Sequence, residues 1–433
     1  MRYRKLGLLV GLAVIAIAVV GTASAAGGSN SGSIPVIPDS QLQANFTEIG
    51  GGSQPLPTDR TIPHWFGTST DPNNGITYGY SMVGADPSCN CSTTIQADIT
   101  PLIVNFDGMT YDGTAVVGPT LNSPVFATNN YGSTPAATAA GNFPNFPRLI
   151  PGPGGTLSQG DKGQLLQLED ATMRAQFNRT GSGSNYHLIL HPNVLPAVTI
   201  NVPANQGTLI QSPQGVVFPV ISYSWWSSTI HNLDQASDPT HLPIFLSNDV
   251  LLIDKGSCCT IGFHGVDSGS TNSNGNASVQ TFAWASWLRP GTYPRVSGQP
   301  LPTDWALQDI QALTHEISEW ADDPFVNNSV EPWATPTAPQ YGCTNLIETG
   351  DPVVAIGFAM GTNTFDQGLT PDGQKVADGY YHPEDEVFLP WFLRLAPNTV
   401  SEATQKHSAN VGRYSFMGQL NPFVGFQQPA TGC

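Results

Sequence analysis

The residues best suited to chemistry are His315, Glu316 and Glu319, in the stretch Thr314-His-Glu-Ile-Ser-Glu-Trp320. On a helix, His315 and Glu319 stand one turn apart and share a face. An imidazole and a carboxylate so placed can hold one divalent cation, since carboxylate oxygen is an accepted zinc ligand. Glu316 lies to one flank, where it can reach a water beside that cation without ligating, and so serve as general base. The pattern is the H-E-x-x-H zinc motif with glutamate in place of the second histidine. The plainer alternative is an ordinary pair on a solvated helix face, worth about 0.2–0.5 kcal/mol. Charged residues make up only 11% of the chain, so three within five positions argue against filler.

Two ligands leave a zinc site incomplete. Glu348 and Asp351, in Asn345-Leu-Ile-Glu-Thr-Gly-Asp-Pro352, are the best-placed carboxylates for a third, followed by Glu331 and His382. His187, His191, His231 and His241 fall between strand signals without helical partner spacing, and read as structural.

The elements that must position the motif follow from local patterning. A helix is predicted over residues 304–322: Thr303 is the N-cap, Asp304 suits the positive dipole end, and Pro324 stops it. Ala306, Ile310, Leu313, Ile317 and Ala321 form its apolar stripe, with His315 and Glu319 on the opposite side. Just upstream, residues 282–287 read as a strand. It is either an edge strand that aligns an extended substrate or a core strand with aromatic neighbours. A second helix is predicted over residues 161–178, with Leu165, Leu168, Ala171 or Thr172, and Ala175 on one side. Strand signals cover residues 76–83, 99–106, 186–190, 198–202, 216–223 and 244–253, and the N-terminal ones read as antiparallel.

Composition limits what the chain can do. Its 433 residues carry a net charge of −17, and three of its 15 basic residues, Arg2, Arg4 and Lys5, lie at the extreme N-terminus. No basic patch is left to follow a phosphate backbone, so nucleic-acid binding is not expected, and an acidic surface would repel anionic membranes. The start has the parts of a signal peptide: the basic residues, an apolar run from Leu6 to Val20, and Ala23-Ser24-Ala25 as cleavage site. Residues 1–25 are therefore expected to be removed, leaving a secreted chain with no membrane segment. Cys89, Cys91, Cys258, Cys259, Cys343 and Cys433 then suit disulfides, with adjacent Cys258 and Cys259 expected to bond to different partners. Residues 26–60 read as a flexible leader, 61–160 as a β-rich region, and 161–433 as the domain that contains the motif.

The stretch Thr314-His-Glu-Ile-Ser-Glu-Trp-Ala-Asp-Asp-Pro324, with Trp333 and Leu346-Ile-Glu-Thr-Gly-Asp351 after it, resembles secreted zincin-like proteins carrying H-E-x-x-E. It is more distantly similar to the Exordium or phosphate-induced proteins, which share an H-E-x-x-E helix, an Asn/Asp-Pro stop and a later E-x-x-D. The likeness spans residues 304–352, and more weakly 231–287. It implies that His315 and Glu319 are metal ligands, that Glu316 is the base, and that Glu348 or Asp351 completes the shell. The second histidine and the H-x-x-G-x-x-H extension of the better-known proteases are absent.

The expected fold is α+β: a zincin-like core, with the motif helix against a mixed sheet, preceded by an extended β-rich and loop-rich part. The expected function is that of a secreted zinc-dependent hydrolase, endopeptidase-like, acting on a peptide or protein substrate. The main alternative is a non-catalytic extracellular or cell-wall binding protein on a degenerate zincin scaffold, with Trp225, Trp226, Trp284, Trp287 and Trp391 stacking on carbohydrate. A glycoside hydrolase needs two carboxylates about 5–10 Å apart across a cleft, which Glu316 and Glu319 on one helical turn do not offer.

Overall fold

The computed structural model describes residues 61–129, 165–177, 179, 183–212, 214–254, 257–271, 277–292, 309–334, 343–353, 357, 360–365, 379–395, 414–415 and 433. The predicted signal peptide, the leader and residues 304–308 of the predicted motif helix lie outside them, as does the side chain of Cys258.

Strands dominate, with helices mixed among them, so the class is α+β. β1 (His64–Thr70) and β2 (Thr77–Val83) form an antiparallel hairpin. Its turn is closed by the Asp71 and Asn74 side chains, which accept from Asn73 N–H and Ile76 N–H at 2.7 Å each. β3 (Ser92–Phe106) is the axis of the seven-stranded sheet. β4 (Met109–Asp112) pairs with it antiparallel, as expected, but β5 (His187–Val194), β6 (Val198–Asn201) and β9 (Leu242–Asn248) all run parallel to it. The antiparallel reading of the N-terminal region is thus corrected at β3. Its centre, Ala97 to Leu102, is buried without a break, as suits a strand flanked by parallel neighbours and covered on both faces.

β7 (Gly207–Gln211), β8 (Val217–Ser222), β10 (Leu251–Asp254) and β11 (Ser257–Thr260) make a second sheet of four. The predicted strand over 244–253 is therefore two strands in different sheets, divided where Asp249 takes a φ of 53°. β12 (Gly262–Thr271) and β13 (Ala277–Trp287) complete the large sheet in the order β12-β13-β9-β3-β4. β12 is the edge, so residues 282–287 form an interior strand, not the substrate-aligning edge. β14 (Ser329–Ala334) and β15 (Cys343–Leu346) pair separately.

Five helices fill the remainder of the described chain: α1 (Val117–Asn122), α2 (Leu168–Gln176), α3 (Tyr223–Asp234), α4 (Gln311–Asp322) and α5 (Leu389–Phe392). α2 is shorter than predicted, for Leu165 precedes it and is exposed. α3 was not expected, because Tyr223-Ser-Trp-Trp-Ser-Ser-Thr is weak in intrinsic propensity. Packing decides it: Trp226 and Ile230, one turn apart, are both fully buried, and the Trp226 ring lies 5.5 Å from Trp284.

α3 and α4 cover opposite faces of the β12–β13 pair, and strand alternation sorts the residues between them. Phe282 and Trp284 meet His231 and Trp226 of α3, whereas Thr281 accepts the Trp320 indole N–H of α4 at 2.8 Å. Trp226, Trp284, Trp287 and Trp391 are fully buried, so these indoles serve the core and offer no faces to sugars. Cys89–Cys91 and Cys343–Cys433 are at disulfide distance, and Cys259 is also disulfide-bonded.

Asp234, at the C-terminal end of α3, is fully buried, and neither of its carboxylate oxygens has a well-formed hydrogen bond. Burial and then the Asp267 carboxylate, itself held 2.8 Å from His231, push its pKa up from 3.8 to about 8, against a weaker opposing pull from Ser237. The folded state therefore holds a proton that the unfolded chain has lost, and this group's stabilisation falls as pH rises from about 4 to about 8. The melting temperature of Asp234→Asn should match wild type near pH 4 and exceed it increasingly as pH rises to 8. Parallel curves for the two proteins across that range would refute the assignment.

Candidate metal centre

α4 begins at Gln311, because Asp309 and Ile310 form a bend in which the Asp309 carboxylate accepts Ile310 N–H at 2.7 Å. The predicted helical span through 309–310 is corrected accordingly. The C-terminal end falls as expected. Pro324 excludes α conformation at Asp323, which takes φ −141° and ψ 62°, and the Asp323 carboxylate caps the following turn through Asn327 and Asn328 N–H at 2.9 and 3.0 Å.

The solvated face does not exist. All twelve residues of α4 are buried, with His315, Glu316 and Glu319 at 0% exposure. Strands β12 and β13 cover one side; residues 347–353 and 381–388 close over the other. The last two segments are tied to the helix by Thr349 Oγ1 on Ser318 Oγ at 3.1 Å and by Glu384 N–H on Thr314 Oγ1 at 3.0 Å.

His315 is fixed from behind. Its Nδ1 lies 2.6 Å from Glu384 Oε2, and Glu384 is itself held by Gln311 Nε2 at 3.1 Å. Gly350 presses backbone against the same ring, so closely that a β-carbon there would fall 2.2 Å from His315 Nδ1. Nε2 therefore faces forward, 2.8 Å from Glu319 Oε1 and 3.9 Å from Asp351 Oδ1, without a well-formed hydrogen bond. A carboxylate behind one ring nitrogen, with the second nitrogen turned toward further carboxylates, is the usual setting of a metal-ligating histidine.

His264, on β12, enters from the sheet. Gly262 and His264 alternate onto the face that meets α4: a β-carbon at Gly262 would fall 2.6 Å from Glu316 Oε1. His264 Nδ1 is 3.4 Å from Glu316 Oε2 and 3.5 Å from Glu319 Oε2, and its Nε2 has no hydrogen-bond partner among the described residues.

Two sets of three ligand atoms thus converge within 4.8 Å: His315, Glu319 and Asp351, and His264, Glu316 and Glu319. Glu348 is buried beside Glu319 and Asp351 but joins neither set, and its Oε2 is unpartnered. The lesser candidates lie elsewhere: Glu331 pairs with Arg394 at 3.5 Å and His382 with Asp309 at 3.4 Å. His187, His231 and His241 are each held by an aspartate at 2.7–2.8 Å, which fits their structural reading.

The electrostatics are those of carboxylates crowded out of water. Burial pushes the Glu316 pKa up to about 7 against the pull of His264 and His315, and drives Glu348 and Asp351 well above the usual range with Glu319 adding to both. Burial alone would also raise Glu319, but the imidazoles overturn this and bring it to about 2. Burial alone would lower His264 and His315; Glu316 and Glu319 raise the first to about 10, and Glu319 and Glu384 raise the second well above its ordinary value. So much buried negative charge calls for protons or a cation, and imidazole plus carboxylate donors suit a divalent ion.

Sequence reasoning missed His264 and Glu384. Nothing in the spacing around Gly262-Phe-His-Gly265 marks His264, which depends on strand pairing. Glu384 had a signal: Glu384-Asp-Glu386 packs three acids together in a chain poor in charge.

No protein-family model, curated protein or solved structure matches this chain.

Proposed function

We propose that the protein is a secreted metal-dependent hydrolase, endopeptidase-like, built on a zincin-like core. The observation that carries this is His315, with Nδ1 backed by Glu384 and Nε2 buried and facing Glu319 Oε1 at 2.8 Å and Asp351 Oδ1 at 3.9 Å. His315, Glu319 and Asp351 would hold a divalent cation, which we take to be zinc. When bound, it would supply Lewis acidity to a scissile carbonyl and make the attacking water more acidic. Glu316, adjacent on the helix and inside the same buried cluster, accepts a proton and returns it to the leaving amine. Asp351, whose side chain is 21% exposed, marks the side from which substrate approaches. The predicted signal peptide together with the two cysteine pairs supports secretion.

One observation favours the alternative of a non-catalytic extracellular protein on the same scaffold: His264, His315, Glu316 and Glu319 are sealed from solvent, as in a structural metal site. Glu316→Gln separates the two readings. It keeps the shape, leaves the cation held by His315 in place and abolishes cleavage of a peptide library. If metal-replete wild-type protein cleaves nothing in that library, the hydrolase reading is lost and the scaffold reading stands.

A further inference from the structure

Resting on the reading that His315 and Glu319 hold a cation, we propose that the cluster binds two divalent cations bridged by the Glu319 carboxylate. One lies between His315 and Asp351, the other between His264 and Oε2 of Glu316, which leaves Oε1 of Glu316 for the proton transfer.

The two oxygens of Glu319 serve different imidazoles: Oε1 is 2.8 Å from His315 Nε2, and Oε2 is 3.5 Å from His264 Nδ1. Neither oxygen has a well-formed hydrogen bond, and the residue is fully buried. The histidines do not compete for one point, since each completes its own convergent set with Glu319 as the shared member.

The spacing at His264 is the second observation. Of the other carboxylate-paired histidines, His187, His231, His241 and His315 sit 2.6–2.8 Å from their partners, the distance of a direct charged hydrogen bond, and His382, which is partly exposed, is 3.4 Å from Asp309. His264 stands off from both of its carboxylates, at 3.4 and 3.5 Å, although nothing exposes it to water. Ligands about 2.0–2.1 Å from a tetrahedral zinc are about 3.4 Å from one another. The distances from Nδ1 of His264 to the Oε2 atoms of Glu316 and Glu319 are therefore those between atoms facing one ion. Gly262 supports the arrangement, because only a residue without a β-carbon leaves Glu316 its place against β12. A carboxylate bridge sets two ions about 3.5–4 Å apart, the spacing at which a pair can hold both the attacking and the leaving oxygen of a hydrolysed bond.

The test is metal stoichiometry on the full mature chain, chelator-stripped and then titrated with Zn²⁺, read by elemental analysis and calorimetry. Wild type should bind two equivalents, His264→Ala and His315→Ala one each, and Glu319→Ala none. Glu316→Gln should fall from two to one. Loading with Mn²⁺ gives a readout that needs no variant: two carboxylate-bridged ions show an exchange-coupled paramagnetic resonance spectrum, and separate ions do not. One equivalent in wild type, retained in His264→Ala but lost in His315→Ala, overturns the second site and leaves the proposed function intact. One equivalent lost in both variants overturns the bridge in favour of a single shared ion. Two equivalents without exchange coupling also overturn it. No binding at all removes this inference and the metal reading together.

Discussion

His315→Ala should yield protein without the cation between Glu319 and Asp351, and a stability loss of about 3–5 kcal/mol, as when one partner is removed from a buried charged network. The substitution strands the carboxylate of Glu384, which loses a partner at 2.6 Å, and that of Glu319, which loses one at 2.8 Å, where no water reaches them. Loss of a ligand that binds only the folded state adds to the cost. For a chain of this size the melting temperature should fall by about 4–6 °C. Chelator should lower the wild-type melting temperature as well, and lower that of His315→Ala by less because it has less metal to lose. A wild type indifferent to chelator, with His315→Ala melting alongside it, would mean that the imidazole is only a packed side chain.

Gly350→Ala should damage the same centre without replacing a ligand. The new methyl group would fall 2.2–2.6 Å from three atoms of the His315 ring. That ring cannot swing aside, since Glu384 holds it from behind and α4 is buried along its whole length. Either the ring or the segment carrying Thr349 and Asp351 must move, and overpacking of this kind costs about 1–3 kcal/mol, here at the upper end. Metal affinity should fall with it, because Asp351 is the next residue. Two glycines calibrate the result. Gly262→Ala meets the movable end of Glu316, so it should cost less stability while disturbing that side chain. Gly118→Ala lies in α1 with nothing within 4 Å of the added carbon, and should be neutral or stabilising. A Gly350→Ala protein with wild-type melting and metal content would show that the segment yields freely and that the close approach is incidental.

The sequence by itself determined the local part of this centre. Three acidic or basic side chains in five positions, a helical period and a proline after Asp323 were enough to place His315 one turn from Glu319 and to end the helix at Asp322. It also offered Glu348 or Asp351 as the third ligand, and the chain brings Asp351 to His315. Local pattern could not show that the opposite face of α4 is covered, because the covering residues lie far away in the chain. Nor could it find His264 or Glu384, which reach the helix from 51 residues before His315 and 69 after it. Their places depend on which face of β12 alternation turns toward α4, on β12 pairing with β13, and on residues 381–388 folding back over the helix. Those are long-range contacts whose favourable energy is realised only when the large sheet has formed. Spacing along the chain set what the helix could offer a cation; the packing of distant segments decided what surrounds it.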